Sequence, residues 1–106
     1  MATSREAIES PYLQGEDEIL AYLVTTTPWA ASPTSPTVKI FSYDLTTDAY
    51  TDVTATKMSG SASVSGDVIT TPAVTSLTAG TRYRVEVKFV VSGNTFETYF
   101  WILGER

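Results

Sequence analysis

The 106-residue sequence contains no cysteine and no histidine. Without cysteine, no disulfide can hold the fold together, and zinc sites and nucleophiles that depend on a thiol are excluded. Without histidine, the chain lacks the side chain that most often serves as general base, proton shuttle or transition-metal ligand. Only carboxylate chemistry or a hard-cation site is left. We therefore expect a protein that is not an enzyme and that uses no cofactor.

Positive charge and long apolar runs are also scarce. Seven Lys and Arg stand against twelve Asp and Glu, which leaves a net charge of −5. An acidic surface repels phosphate backbones and anionic lipids, so neither nucleic acid nor a membrane surface is an expected partner. No apolar stretch approaches the roughly 20 residues of a spanning helix, and no signal-peptide pattern follows Met1. We expect such a chain to be made and kept in the cytoplasm, or to be assembled there and released by lysis.

Threonine and serine are abundant instead, with 18 Thr and 11 Ser in the chain. Threonine is β-branched and suits a pleated, half-buried surface, whereas helix formers such as Lys, Gln and Leu are few. The length is that of one domain. Composition and length together predict a single all-β domain that is monomeric in isolation and needs no metal to fold.

Residues 1–16 show no strand alternation, and we interpret them as an N-terminal arm that precedes a domain at 17–106. Two interpretations of this arm stay open. It is either a frayed terminus or a segment that docks on a neighbouring protein through Ile8, Tyr12 and Leu13.

Runs of β-branched and aromatic residues alternate with turn signals along the rest of the chain. Strands are predicted at 18–26, 37–43, 50–57, 61–65, 68–71 and 82–91 and in the residues after Asn94. The dipeptide Gly66-Asp67 fits a type II′ hairpin turn. About seven short strands with a turn every 8–12 residues are typical of a two-sheet sandwich.

Residues 82–91 alternate most cleanly between apolar and charged side chains. Gly93-Asn94 predicts a second two-residue turn, and a tight turn fixes the register of the strand that follows. In that register Val87 faces Phe100 in the core.

The segment that leads into this strand carries a leucine, then Gly80, then Tyr83. It resembles the tyrosine corner of immunoglobulin and fibronectin-III domains, in which an inward tyrosine hydroxyl returns to an upstream backbone group. We expect the Tyr83 hydroxyl to be a buried donor to such a group. We therefore predict an immunoglobulin/fibronectin-III-like antiparallel β-sandwich of about seven strands. The corner specifies an architecture and carries no function.

Three aromatic residues lie outside the predicted core face of the long strands. Trp29 follows a proline in the first long loop, where we expect it to plug an open end of the sandwich. Tyr99 and Trp101 fall on the face opposite the core. They either cover a flank under the arm, anchor a protein–protein contact, as Tyr and Trp often do in interface hot spots, or stack on carbohydrate.

Carboxylates gather in the run 16–18 and around one turn, at Asp44, Asp48 and Asp52. Hard oxygen donors of this kind bind calcium, but consecutive strand residues point to alternate faces, and no EF-hand spacing is present. Nor does any pair have the spacing of a glycosidase site. We expect solvated turns and no metal.

Several segments taken together resemble small immunoglobulin-like virion proteins of tailed bacteriophages, namely SPYLQGEDE, TTTPW, SVSGDVITTPAV, LTAGTRYRVEVKF and SGNTFETYFWILGER. The resemblance implies a capsid-decoration or neck-accessory subunit in the virion, present in many copies, without catalytic residues. Its partners would be capsid, neck or tail proteins. The alternative is a glycan- or cell-surface-binding module, either in a virion or excised from a larger bacterial protein.

Overall fold

The computed structural model describes residues 11–26 and 31–106. The elements in chain order are β1 (Tyr12–Gly15), β2 (Leu23–Thr25), β3 (Thr34–Asp44), β4 (Ala49–Asp52), α1 (Thr54–Lys57), β5 (Met58–Ser59), β6 (Ser63–Ser65), β7 (Val68–Thr70), β8 (Ala73–Val74), β9 (Arg82–Val91) and β10 (Asn94–Glu105). The predicted site residue Ile8 and the predicted plug Trp29 lie outside the described residues.

The strands form a five-stranded sheet in the order β1-β10-β9-β3-β4, a three-stranded sheet in the order β2-β7-β6, and a small pair β5-β8. All neighbours run antiparallel except β1, which runs parallel to β10. One buried cluster joins apolar side chains from the two larger sheets. The all-β class is therefore confirmed, and the sheets pack as a sandwich around a shared core.

The core draws on alternate residues of the long strands. From β9 and β10 it takes Val85, Val87, Phe89, Phe100 and Ile102, each at most 1% exposed. The residues between them point to the other side of the five-stranded sheet, because side chains alternate along a strand.

The start of the domain differs from the prediction. Tyr12–Gly15 form β1, which pairs with residues 102–105 of β10, so these four residues belong to the sheet and not to a separate arm. Gln14 explains their place: its side chain is fully buried and hydrogen-bonded across to the segment that leads into β2 and to β8. β1 has only four residues, too few for an alternating pattern of apolar and polar side chains to be recognised in the sequence.

The hairpin β9–β10 is confirmed, but its predicted register was wrong by two residues. Val91 pairs with Asn94, so the turn is Ser92-Gly93, and Phe100 lies opposite Val85. Ser92 and Gly93 both have positive φ, at 50° and 82°, as a type I′ turn requires. A slip of two residues keeps every side chain on its predicted face, and the assignment of core and surface was therefore right.

The hairpin turn predicted at 66–67 is confirmed, whereas the strand predicted at 50–57 is shorter than predicted. Ser65 pairs with Val68 around the predicted turn at 66–67. The strand predicted at 50–57, in contrast, ends at Asp52, and α1 follows. The Asp52 carboxylate accepts hydrogen bonds from both the backbone N–H and the hydroxyl of Thr54, and such local bonds compete with a β ladder.

The hydrogen bond predicted for Tyr83 is present, with the roles reversed. The backbone N–H of Thr78 donates to the Tyr83 hydroxyl at 2.8 Å, so the hydroxyl is an acceptor and not the expected donor. Gly104 closes the same corner: a Cβ at that position would overlap the Thr78 carbonyl oxygen, so only glycine fits there.

We expect Tyr83→Phe to lower the free energy of unfolding by about 1 kcal/mol, because the Thr78 N–H loses its acceptor in a partly buried turn. Urea unfolding with an unchanged m-value would measure the loss. A variant as stable as the native protein would show that this hydrogen bond contributes nothing to the corner.

Candidate functional site

The outward face of the five-stranded sheet carries rows of side chains from neighbouring strands. In one row Leu103, Arg82, Tyr43 and Tyr50 lie side by side across β10, β9, β3 and β4. The next row contains Trp101, Arg84, Phe41 and Asp52. The register thus brings aromatic and arginine side chains together from four strands.

Six of these side chains form a contiguous group that we call the aromatic–arginine patch: Tyr43, Tyr50, Arg82, Arg84, Tyr99 and Trp101. The Trp101 ring is at its centre, with centroids 5.8 Å from Tyr43, 6.4 Å from Tyr50 and 6.5 Å from Tyr99. The Tyr43 and Tyr50 rings are 5.0 Å apart. Tilted and edge-to-face contacts of this kind hold aromatic rings in a fixed arrangement.

The two arginines lie over the rings. The Arg84 guanidinium is 3.9 Å from the Tyr99 ring centroid and 5.9 Å from that of Tyr50. Arg82 lies 5.7 Å from the Trp101 ring centroid. These are cation–π distances, which orient planar guanidinium groups on an aromatic surface.

Arg84 also forms an ion pair, with its Nε 3.0 Å from the Glu86 carboxylate. This buried Nε has no hydrogen-bond partner within residues 11–26 and 31–106. The contact with Glu86 is therefore an ion pair without a hydrogen bond. The Arg84 side chain is only 19% exposed. Its charge is thus fixed close to the sheet and balanced by one carboxylate.

A shallow hollow lies beside the patch at the β1 side of the sheet. It has a volume of about 290 Å³ and is lined by Pro11, Arg82, Trp101, Ile102 and Leu103. Leu13, 58% exposed, pairs with Leu103 at this side. The hollow gives the patch a concave border with apolar and cationic walls.

The predicted site residues differ in their position and burial. Tyr99 and Trp101 do lie on the face opposite the core, half-buried in the patch. Leu13 is exposed near it, as a docking residue would be. Tyr12 is instead half-buried, with its ring 4.9 Å from Tyr22 and 5.3 Å from Phe100. Tyr12 therefore packs against the core of its own domain.

Sequence reasoning missed four members of the patch: Tyr43, Tyr50, Arg82 and Arg84. The two arginines were placed on the outward face but not joined to the aromatic pair. A signal for the tyrosines existed, since they flank one short turn and the hydrogen-bonded strands that it connects bring them opposite each other. What the sequence could not provide was the neighbour relation between β3 and β9.

Within the described ranges, no group of three or more acidic side chains is placed to hold a metal ion. The Asp52 carboxylate accepts two hydrogen bonds from Thr54, and these bonds lower the pKa of the Asp52 carboxyl. The Tyr43 hydroxyl donates to Asp48, a contact that raises the pKa of the tyrosine.

No family model matches the chain, and no curated protein or solved structure is significantly similar to it. In the described part of the chain, no helix has the length and apolar character needed to cross a membrane.

Proposed function

We propose that the chain is a non-enzymatic structural subunit of a tailed-phage virion. It decorates or cements the capsid or neck through the aromatic–arginine patch. Its partners are capsid, neck or tail proteins, it is present in many copies, and it is a monomer in dilute solution. The observation that carries the proposal is the patch itself, since Tyr, Trp and Arg are the residues that dominate protein–protein hot spots.

The strand order supports an immunoglobulin-type domain as the scaffold. In such domains one sheet contains strands C, F and G, and variable-type members add C′ beside C. The order β10-β9-β3-β4 corresponds to G-F-C-C′, and β2-β7-β6 corresponds to B-E-D. The hydrogen bond at Tyr83, at the start of β9, agrees with this assignment.

The chemistry of the patch favours a protein partner over a glycan. Sugar-binding aromatics need a ring face on which the sugar can stack. Arg84 already lies over the Tyr99 ring and Arg82 over the Trp101 ring. An acidic protein segment, in contrast, would meet both the rings and the guanidinium groups without displacing either.

The test is to measure occupancy on particles. Virions purified from the source strain should contain the chain in a fixed ratio to the major capsid protein. Particles that lack the chain should then rebind it. Trp101→Ala and Tyr50→Ala should each weaken rebinding by about 30-fold, the equivalent of a 2 kcal/mol hot spot.

Lys88→Ala is the matched control, because Lys88 lies on the same outward face but outside the patch. It should rebind like the native protein. Deletion of residues 1–10 tests Ile8 separately without cutting into β1. If both patch variants are folded and rebind fully, the patch is not the docking surface. If purified virions lack the chain, the virion assignment is wrong.

A further inference from the structure

β2 forms one edge of the three-stranded sheet. The even-numbered residues that flank it, 20, 22 and 26, direct their backbone hydrogen bonds inward, to Val74, Thr71 and Asp67. Because backbone groups alternate in direction along a strand, Leu23 and its odd-numbered neighbours 21 and 25 present theirs on the outer edge. Within the ranges that the structure describes, no hydrogen bond reaches these three residues.

The side chains of this edge are apolar and exposed. Ile19 is 68% exposed and Leu23 65%, and no charged residue occurs from 19 to 26. Two other edges carry polar residues: β4 ends in Asp52, and β6 presents two serines. An exposed, uncharged, apolar edge is a template for the addition of another strand.

We propose that β2 pairs antiparallel with β2 of a second copy of this chain, about a two-fold axis at Leu23. In this register Leu23 faces Leu23, and Ala21 of each copy faces Thr25 of the other. All three residues then exchange both backbone hydrogen bonds, because all three point outward. The surface is self-complementary, as a two-fold contact requires.

The acidic run 16–18 favours this direction of pairing. In the antiparallel arrangement the two runs lie at opposite ends of the paired strands, roughly 40 Å apart at about 3.4 Å per residue. That separation exceeds the Debye length of about 8 Å at physiological salt. A parallel, in-register pair would instead place the two runs side by side, with three like charges on each.

The contact is weak because it is small. Residues 21–25 pair in each copy, whereas a stable interface uses about 20–30 residues a side. The pairing therefore does not contradict a monomer in dilute solution. It becomes populated where copies are held close together. The inference does not depend on the proposed function, since it concerns the free protein.

Disulfide trapping tests the pairing, because the native chain has no cysteine. Residues opposite each other in a hydrogen-bonded antiparallel pair have Cα atoms about 5.5 Å apart, within the range of a disulfide. At roughly millimolar protein, Leu23→Cys should form covalent dimers at least about tenfold faster than Leu45→Cys. Leu45 is the matched control, a leucine 71% exposed in the β3–β4 turn.

The register gives a second readout. Thr25→Cys alone should dimerise no faster than the Leu45 control. An equal mixture of Ala21→Cys and Thr25→Cys should form the mixed dimer at the Leu23→Cys rate. If Leu23→Cys is no faster than Leu45→Cys, or if Thr25→Cys alone is as fast as Leu23→Cys, the proposed pairing is overturned.

Discussion

Replacing Gln14 with leucine should lower the free energy of unfolding by about 3–5 kcal/mol, as expected when several buried polar groups lose their partners. The Gln14 side chain is fully buried. Its amide nitrogen donates to the carbonyls of Val74 at 2.9 Å and Glu18 at 3.0 Å, and its oxygen accepts from the Tyr22 hydroxyl at 2.6 Å. Leucine fills the space but leaves the Tyr22 hydroxyl without its acceptor.

The Tyr22 hydroxyl is the donor in its hydrogen bond to Gln14. Burial, together with the charge of Glu18, raises the pKa of Tyr22 to about 12. Tyr22→Phe should lower the free energy of unfolding less in the Gln14→Leu background than in the native protein, because the Tyr22–Gln14 hydrogen bond is already lost there.

Denaturant unfolding measures both effects. Leu13→Ala is the control: the residue next to Gln14 is largely exposed, and its truncation should change stability by no more than about 0.5 kcal/mol. If Leu13→Ala and Gln14→Leu lowered the free energy of unfolding equally, Gln14 would not be the residue that holds β1 against the core.

Phe100→Ala should cost about 3–5 kcal/mol, the usual range for a buried phenylalanine. The side chain is 1% exposed, and its ring lies 5.3 Å from both Tyr12 and Tyr22. Truncation would open a cavity at the point where β1, β10 and the segment leading into β2 meet. Part of the cost comes from these aromatic contacts, beyond the buried area alone.

Phe96 provides the matched control for this substitution. It lies on the same strand and the same face but is only partly buried, stacked on Phe89. Phe96→Ala should cost less than half as much in the same thermal or denaturant unfolding experiment. A larger loss at Phe96 than at Phe100 would place the centre of the core at the hairpin end of the sheet.

The sequence was informative wherever alternation or a turn dipeptide marked a long strand. The apolar and polar faces of β9 and β10 followed from period-two alternation, and an error of two in the register did not disturb them. β1 could not be predicted in the same way. Its four residues place a glutamine inward and a leucine outward, the reverse of the usual pattern. A hydrogen-bond network, which no periodicity shows, decides its position.

The candidate site was predictable only in part. Local alternation placed Tyr99 and Trp101 on the outward face. Tyr43 and Tyr50 join them because β3 lies beside β9 in the sheet, and pairing between strands distant in sequence is set by the fold as a whole. The surroundings of Tyr12 were also not predictable from local sequence. Its aromatic ring suggested a docking anchor, but parallel pairing of β1 turns it onto Phe100 and Tyr22.

The central claim is that the aromatic–arginine patch docks this domain on a repeating protein lattice. A cryo-EM map of the purified particle, at a resolution that shows side chains, tests it most directly. We expect density from a neighbouring capsid, neck or tail protein against Tyr50, Arg84 and Trp101. A map in which this face of the five-stranded sheet points to solvent, while the domain is held by another surface, would contradict the claim.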